Sequence, residues 1–134
     1  MMALVLTTQA DPGSATWTES GTVDQQADPG DGGAIAVTES TAVALVTGGA
    51  ETRTVADPSF AGQELLLYFA VDGGDCVVTF ASAVNLAGDT IATFANAGES
   101  LFCKAFVSDA AGTLVWRVYA SGVGAVADAT PALT

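Results

Sequence analysis

Short, largely apolar segments of strand length recur along much of the chain. They are rich in Val, Leu, Phe and Thr and are separated by breaks rich in Gly, Asp and Asn, the pattern of strands joined by turns. Glu64–Val71 is an almost unbroken apolar run and reads as a central strand. Asp72-Gly73-Gly74-Asp75 follows, a composition that predicts a hairpin, with Cys76–Phe80 as the partner strand. Further strands are expected at 90–94, 99–107 and 113–120. Turns or short loops fall at 85–89, at Asn96-Ala97-Gly98 and at 108–112. Upstream, 34–37 and 41–47 are expected as strands as well. No segment combines a helical period with good helix formers over about ten residues or more. The expected class is all-β: a compact antiparallel β-sandwich or small barrel of about seven to nine short strands.

The chain divides by composition. Residues up to about 60 are rich in Thr, Ala, Gly and Asp-Pro, and most bulky apolar side chains lie between 61 and 120. An internal echo marks the first part. Gln9-Ala10-Asp11-Pro12-Gly13 returns as Gln26-Ala27-Asp28-Pro29-Gly30, Thr18-Glu19-Ser20 returns as Thr38-Glu39-Ser40, and a fainter Ala56-Asp57-Pro58 follows. Asp caps such a turn, Pro fixes φ and Gly permits a positive φ, so reuse of one turn accounts for it. Duplication of a small hairpin is the alternative, and two copies are too few for a solenoid. The expected organisation is an N-terminal arm over 1–33, a sandwich or barrel over 34–126 and a tail over 127–134.

Charge sharpens the picture. Charged residues make up only 13% of the chain, against 50% apolar residues, where an average domain carries roughly a quarter charged. Fifteen side chains are acidic and three basic, Arg53, Lys104 and Arg117, for a net charge of -12. Phosphate binding needs several cations, so neither nucleic acid nor an anionic membrane is an expected partner. The longest apolar run, Leu65 to Val71, is far short of the roughly 20 residues that span a bilayer as a helix. Residues 1–6 are apolar but short and follow no basic residue, so a secretory leader is not expected. A surface with so few charges points to contact with other subunits.

Candidate chemistry is sparse. With no histidine, neither a Ser-His-Asp triad nor a Cys-His pair can form. Cys76 and Cys103 cannot alone fill a tetrahedral zinc site, and they read as free thiols in strands. Asp28, Asp31, Asp57, Asp72 and Asp75 could supply oxygen ligands to calcium, but the spacing of Asp28-Pro29-Gly30-Asp31-Gly32-Gly33 is not that of an EF-hand; turn chemistry explains it. Glu39, Glu51, Glu64 and Glu99 show no spacing that favours a glycosidase pair. Trp17 and Trp116 could form a sugar platform, although Trp116 falls on an inward position. No catalytic residue, metal or cofactor is expected.

Two late strands point to a contact surface. Alternation puts Leu101, Cys103, Ala105 and Val107 on one face and Phe102, Lys104 and Phe106 on the other. Likewise Leu114, Trp116 and Val118 oppose Val115, Arg117 and Tyr119. The charge-free faces turn inward, which leaves two of the three cations outside among large apolar side chains. Aromatics beside cations are typical of subunit interfaces. Phe102, Lys104, Phe106, Arg117 and Tyr119 are therefore candidate interface residues; a further layer of the same chain covering this face is the alternative.

Gly62-Gln63-Glu64 before an apolar strand, Asp72-Gly73-Gly74, Cys76-Val77-Val78-Thr79, Ala87-Gly88-Asp89-Thr90-Ile91, Ala97-Gly98-Glu99-Ser100-Leu101 and Trp116-Arg117-Val118 together resemble a module of tailed-bacteriophage virion structural proteins. The resemblance spans about residues 37–126. Compact chains of this style resemble head decoration (cement) proteins. The resemblance implies a β-rich subunit made in the host cytoplasm that binds the capsid exterior, often as a homotrimer. It would bridge copies of the major capsid protein and so stabilise the head. A tail-fibre or knob-type receptor-binding module and a carbohydrate-binding β-sandwich are the alternatives. On this reading Arg117→Glu is expected to abolish self-association while the monomer stays folded, as followed by light scattering and circular dichroism; an unfolded variant would place Arg117 in the intrachain core.

Overall fold

A computed structural model describes residues 23–121 and 131–134, with backbone alone at 120 and 121. They form ten strands: β1 (Asp24–Gln26), β2 (Gly33–Ile35), β3 (Thr41–Val46), β4 (Glu51–Val55), β5 (Glu64–Val71), β6 (Cys76–Phe80), β7 (Ile91–Phe94), β8 (Ser100–Val107), β9 (Leu114–Ser121) and β10 (Ala132–Leu133). One sheet, A, runs β1-β3-β5-β8-β9, and the other, B, runs β10-β7-β6-β4-β2. Their inner faces share one core, to which A gives Val43, Leu45, Leu65, Leu67, Phe69, Leu101 and Trp116, and B gives Ile35, Val55, Val78, Phe80 and Phe94. Phe69 and Phe94 meet edge-on across it, ring centroids 6.1 Å apart. The fold is a β-sandwich, not a closed barrel.

The winding departs from the antiparallel expectation. From β1 to β6 successive strands alternate between the sheets. Each lies parallel to the strand two before it: β1, β3 and β5 in sheet A, and β2, β4 and β6 in sheet B. This half of the chain is a flattened roll of three turns. Only then does the chain pair antiparallel, β6 with β7, β5 with β8 and β8 with β9. The sheets are thus mixed, and the strands exceed the expected number. β2 straddles the boundary expected at 33, and β10, within the expected tail, pairs with β7. Residues 1–22 of the expected arm lie outside the described residues.

The corners explain the roll. Asp72-Gly73-Gly74-Asp75 does not join hairpin partners; it carries the chain from β5 in one sheet to β6 in the other. It stacks on the corresponding corner one turn earlier, between β3 and β4. A Cβ on Gly73 would land on the Thr47 carbonyl oxygen, and one on Gly74 would stand 2.5 Å from the Gly49 carbonyl carbon. Only glycine lets two corner backbones approach so closely. Thr47 Oγ1 uses the approach, donating to Gly74 O at 2.6 Å and accepting from Gly73 N at 3.0 Å. At the opposite side of the roll the buried Gln63 side chain donates to Val37 O (2.8 Å) and Glu39 O (2.9 Å) and accepts from Ser59 N.

Arg53 sits inside the roll, fully buried on β4. Its Nε and Nη2 grip both oxygens of Asp28 at 2.6 and 2.8 Å. Nη2 also donates to Glu51 at 2.8 Å and to Val46 O at 3.2 Å, and Nη1 donates to Thr52 O at 2.9 Å. The guanidinium thereby joins the corner after β1 to the end of β3 and the start of β4. Asp28 additionally accepts from Val46 N and Gly30 N. Burial works to raise the Asp28 pKa, but the Arg53 hydrogen bond and the two amides outweigh it and hold the carboxyl below its usual 3.8.

Breaking one partner of a buried pair leaves the other charge poorly compensated. Asp28→Asn is expected to cost about 3 kcal/mol, near the lower end for such changes because Glu51 remains, as read from denaturant unfolding. A depressed folded-state pKa contributes stability that is full above the unfolded value and fades as pH falls through the folded one. Wild-type stability should therefore drop on acidification below the ordinary aspartate value of 3.8, and Asp28→Asn should lose that component of the drop.

Candidate functional site: the outer face of sheet A

The two outer faces of the sandwich differ. Sheet B turns Thr52, Thr54, Val77, Thr79, Ile91 and Thr93 outward, mostly short β-branched polar residues suited to a solvated strand surface. Sheet A turns outward Ala42, Ala44 and Val46 from β3, and Glu64, Leu66 and Tyr68 from β5. It adds Phe102, Lys104 and Phe106 from β8, and Val115, Arg117 and Tyr119 from β9. Of these, Val46, Leu66, Tyr68, Phe106 and Tyr119 are exposed, Tyr119 by 63%. Large apolar side chains exposed singly are ordinary; several on one sheet face make it the candidate contact surface.

Register builds the face in rows. Ala42, Leu66 and Phe102 lie side by side, as do Glu64, Lys104 and Arg117. The Tyr119 ring meets Phe102 edge-on, centroids 5.5 Å apart, and Lys104 Nζ lies 5.8 Å from its centre. Lys104 also reaches Glu64 Oε2 at 3.4 Å, with both side chains partly exposed. The cation is thus held among aromatics, close to a single carboxylate.

All five residues expected from the sequence are on this face. Phe102, Lys104 and Tyr119 touch in one cluster. Phe106 lies further along β8, opposite Val115. Arg117 differs: its Nη1 donates to Ala83 O at 2.6 Å, and the neighbouring Val118 N donates to Val84 O at 2.9 Å. Together they lay the β6–β7 loop along the edge of β9. Glu64, Leu66 and Tyr68 complete the face. Sequence reasoning misses them, because an unbroken apolar run hides which alternate positions point outward. The parity of Glu64, paired with Lys104, is the signal that marks them.

The other candidates serve the fold. Asp31 accepts from the Thr52 backbone and hydroxyl, and Asp72 from Gly74 N. Buried Glu99 accepts from Ala95 N at 2.7 Å, and Glu51 is taken by Arg53 and Gly48 N. Among the described residues no three His, Cys, Asp or Glu side chains gather to hold a metal ion. Cys76 and Cys103 are free, buried and on opposite sheets. Burial pushes their thiols up to about 11 and about 12. The indole of Trp116 is in the core and donates to Ala56 O at 2.8 Å, whereas Trp17 lies outside the described residues.

No family model, no curated protein and no solved structure matches the chain.

The hydrogen bond to Ala83 changes what Arg117→Glu reports. The variant is expected to lose about 1.5–3 kcal/mol, the range for a hydrogen bond to a charged group, with faster hydrogen exchange over 81–90. Lys104→Ala, which breaks a partly exposed ion pair, should cost less than about 1 kcal/mol.

Proposed function

We propose that the chain is a non-enzymatic structural protein of a tailed-phage virion. It binds the outer capsid surface and bridges neighbouring copies of the major capsid protein, with the aromatic face of sheet A as its contact surface. The observation that carries this reading is the asymmetry of the sandwich. One face is threonine-rich, and the other exposes Leu66, Tyr68, Phe106 and Tyr119, with Lys104 beside the Tyr119 ring. The resemblance of residues 37–126 to virion structural modules supplies the setting.

The charge distribution supports a protein partner. Arg53 is consumed inside the roll, so the remaining two cations of the chain, Lys104 and Arg117, both belong to this face. A partner surface with carboxylates around an apolar centre would complement it, and apolar area removed from water would contribute roughly 25 cal/mol per Å² before association costs. On a symmetric shell, modest contacts repeated by a trimer add through high effective concentration. A carbohydrate platform fits less well, because the Phe102 and Tyr119 rings stand at 83° to each other and offer no common plane for a sugar.

Light scattering and cosedimentation with capsids of the major capsid protein from the same genome test this reading. The expected result is a particle with three times the 13.3 kDa mass of the chain that pellets with capsids. The double variant Tyr68→Glu/Tyr119→Glu should stay folded and lose about 0.5–1.5 kcal/mol of stability, chiefly the Phe102–Tyr119 ring pair, while capsid binding falls at least about tenfold, a loss of about 1.4 kcal/mol. A monomer that ignores capsids, or a variant that binds as well as wild type, would sink the reading.

A further inference from the structure

β9 is an outermost strand of sheet A, paired on one side only, with β8. Ser108 N donates to Thr113 O at 2.8 Å across the turn between them, which fixes the phase of the ladder. Thr113, Val115 and Arg117 therefore bond toward β8. Leu114, Trp116 and Val118 turn their backbone groups to the other side. Such an edge is a template for a further strand unless something covers it.

Here the cover imitates a strand. Val118 N donates to Val84 O at 2.9 Å, as it would to the carbonyl of a neighbouring strand. Arg117 Nη1 donates to Trp116 O at 2.9 Å, where a neighbouring strand would place an N–H, and the same nitrogen donates to Ala83 O at 2.6 Å. One guanidinium thus spans the gap between edge and loop. The loop is also held from behind. The Val84 side chain is buried in the core, and its N–H donates to Asp89 O at 2.8 Å. Asn85 Oδ1 accepts from Gly88 N and Asp89 N, both at 3.1 Å, and Asn85 Nδ2 donates to Asp89 Oδ2. The tip buries nothing, since Leu86 is 97% exposed, so these contacts at the stem keep the loop against β9.

We infer that Arg117 and residues 83–84 are a guard that closes β9 to strand addition, and that without the guard a second copy's β9 takes the edge. A second copy fits because it brings an identical edge. Two β9 strands set antiparallel about a two-fold axis at Trp116 would pair Trp116 with Trp116 and Leu114 with Val118, using every outward backbone group of the three. The guard occupies the centre and one end of that ladder. Loss of Arg117 therefore favours self-association, the opposite of what strand alternation alone suggests. The inference is independent of the capsid reading and concerns an edge, not the aromatic face.

The test uses Arg117→Met in the full chain, which keeps an apolar stem and removes the donors. Light scattering over a concentration series, in moderate salt to screen the net charge of -12, should show a particle at least about twice the wild-type mass. Hydrogen exchange should slow at the Trp116 amide as that particle forms. Adding Leu114→Pro should restore the wild-type mass. A proline there removes an outward N–H, and the first residue of a strand tolerates it. Asn85→Ala, which loosens the loop from its far end and leaves β9 intact, should show a smaller gain in mass with the same reversal, and it serves if Arg117→Met does not fold. A folded Arg117→Met or Asn85→Ala variant with wild-type mass at every concentration would overturn the guard. Growth that Leu114→Pro leaves unchanged, or that leaves Trp116 exchange as fast as before, would overturn the assignment to the β9 edge.

Discussion

The fold depends on a buried guanidinium. Arg53 lies inside a roll whose other inward side chains are largely apolar, and it is held there by Asp28, Glu51 and the carbonyls of Val46 and Thr52. Those partners come from successive turns of the winding, so the charge can be satisfied only when the turns stack in register. A hydrophobic residue would stay inward after a two-residue slip; a buried cation would lose its partners. The glycines at 73 and 74 set the complementary limit one corner higher, where two backbones meet with no room for a side chain. Attraction at one level and steric exclusion at the next fix the spacing of a parallel winding, whose pairings are all long-range.

Above the roll, two antiparallel strands extend sheet A and give the molecule its sidedness. The three-turn winding supplies β1, β3 and β5, but most of the aromatic surface comes from β8 and β9 joined to β5. The outer face of sheet A is therefore composite. Leu66 and Tyr68 belong to the last turn of the roll in this sheet, and Phe102, Lys104, Phe106 and Tyr119 to the hairpin laid against it. The hairpin is in turn steadied by the loop that Arg117 and Val118 hold along its outer edge.

Much of this is legible in the sequence, and the gaps have physical causes. β5 and β6 can be bounded to the residue, because glutamate and glycine punctuate apolar runs there. β4 escapes notice: Glu51-Thr52-Arg53-Thr54-Val55 looks polar throughout, and nothing local announces that its arginine faces the core. β1 and β10 are too short to carry a pattern and exist through their pairing partners. The turn at 72–75 is recognisable but points to the wrong connection, since Asp-Gly-Gly-Asp serves a sheet-to-sheet corner as well as a hairpin. Parallel order is out of reach because it is set by corners well separated along the chain, such as Thr47 and Gly74. On the outer face of sheet A, strand alternation in 101–107 and 114–119 reveals five residues, while the continuous apolar run of β5 conceals its outward members.

The placement of β1 and β10 has a mechanical consequence. β1 is the first strand of sheet A at one end of the stack, and β10 the last strand of sheet B at the other. A pull between them acts along the direction in which strands are hydrogen-bonded, across their long axes. Bonds loaded in that geometry give way a strand at a time, as a zipper opens, instead of sharing the load in shear. A sandwich strung this way is a poor tether when held by these two strands and a sound spacer when pressed on its faces, so any role that bears force must pass it through the sheets.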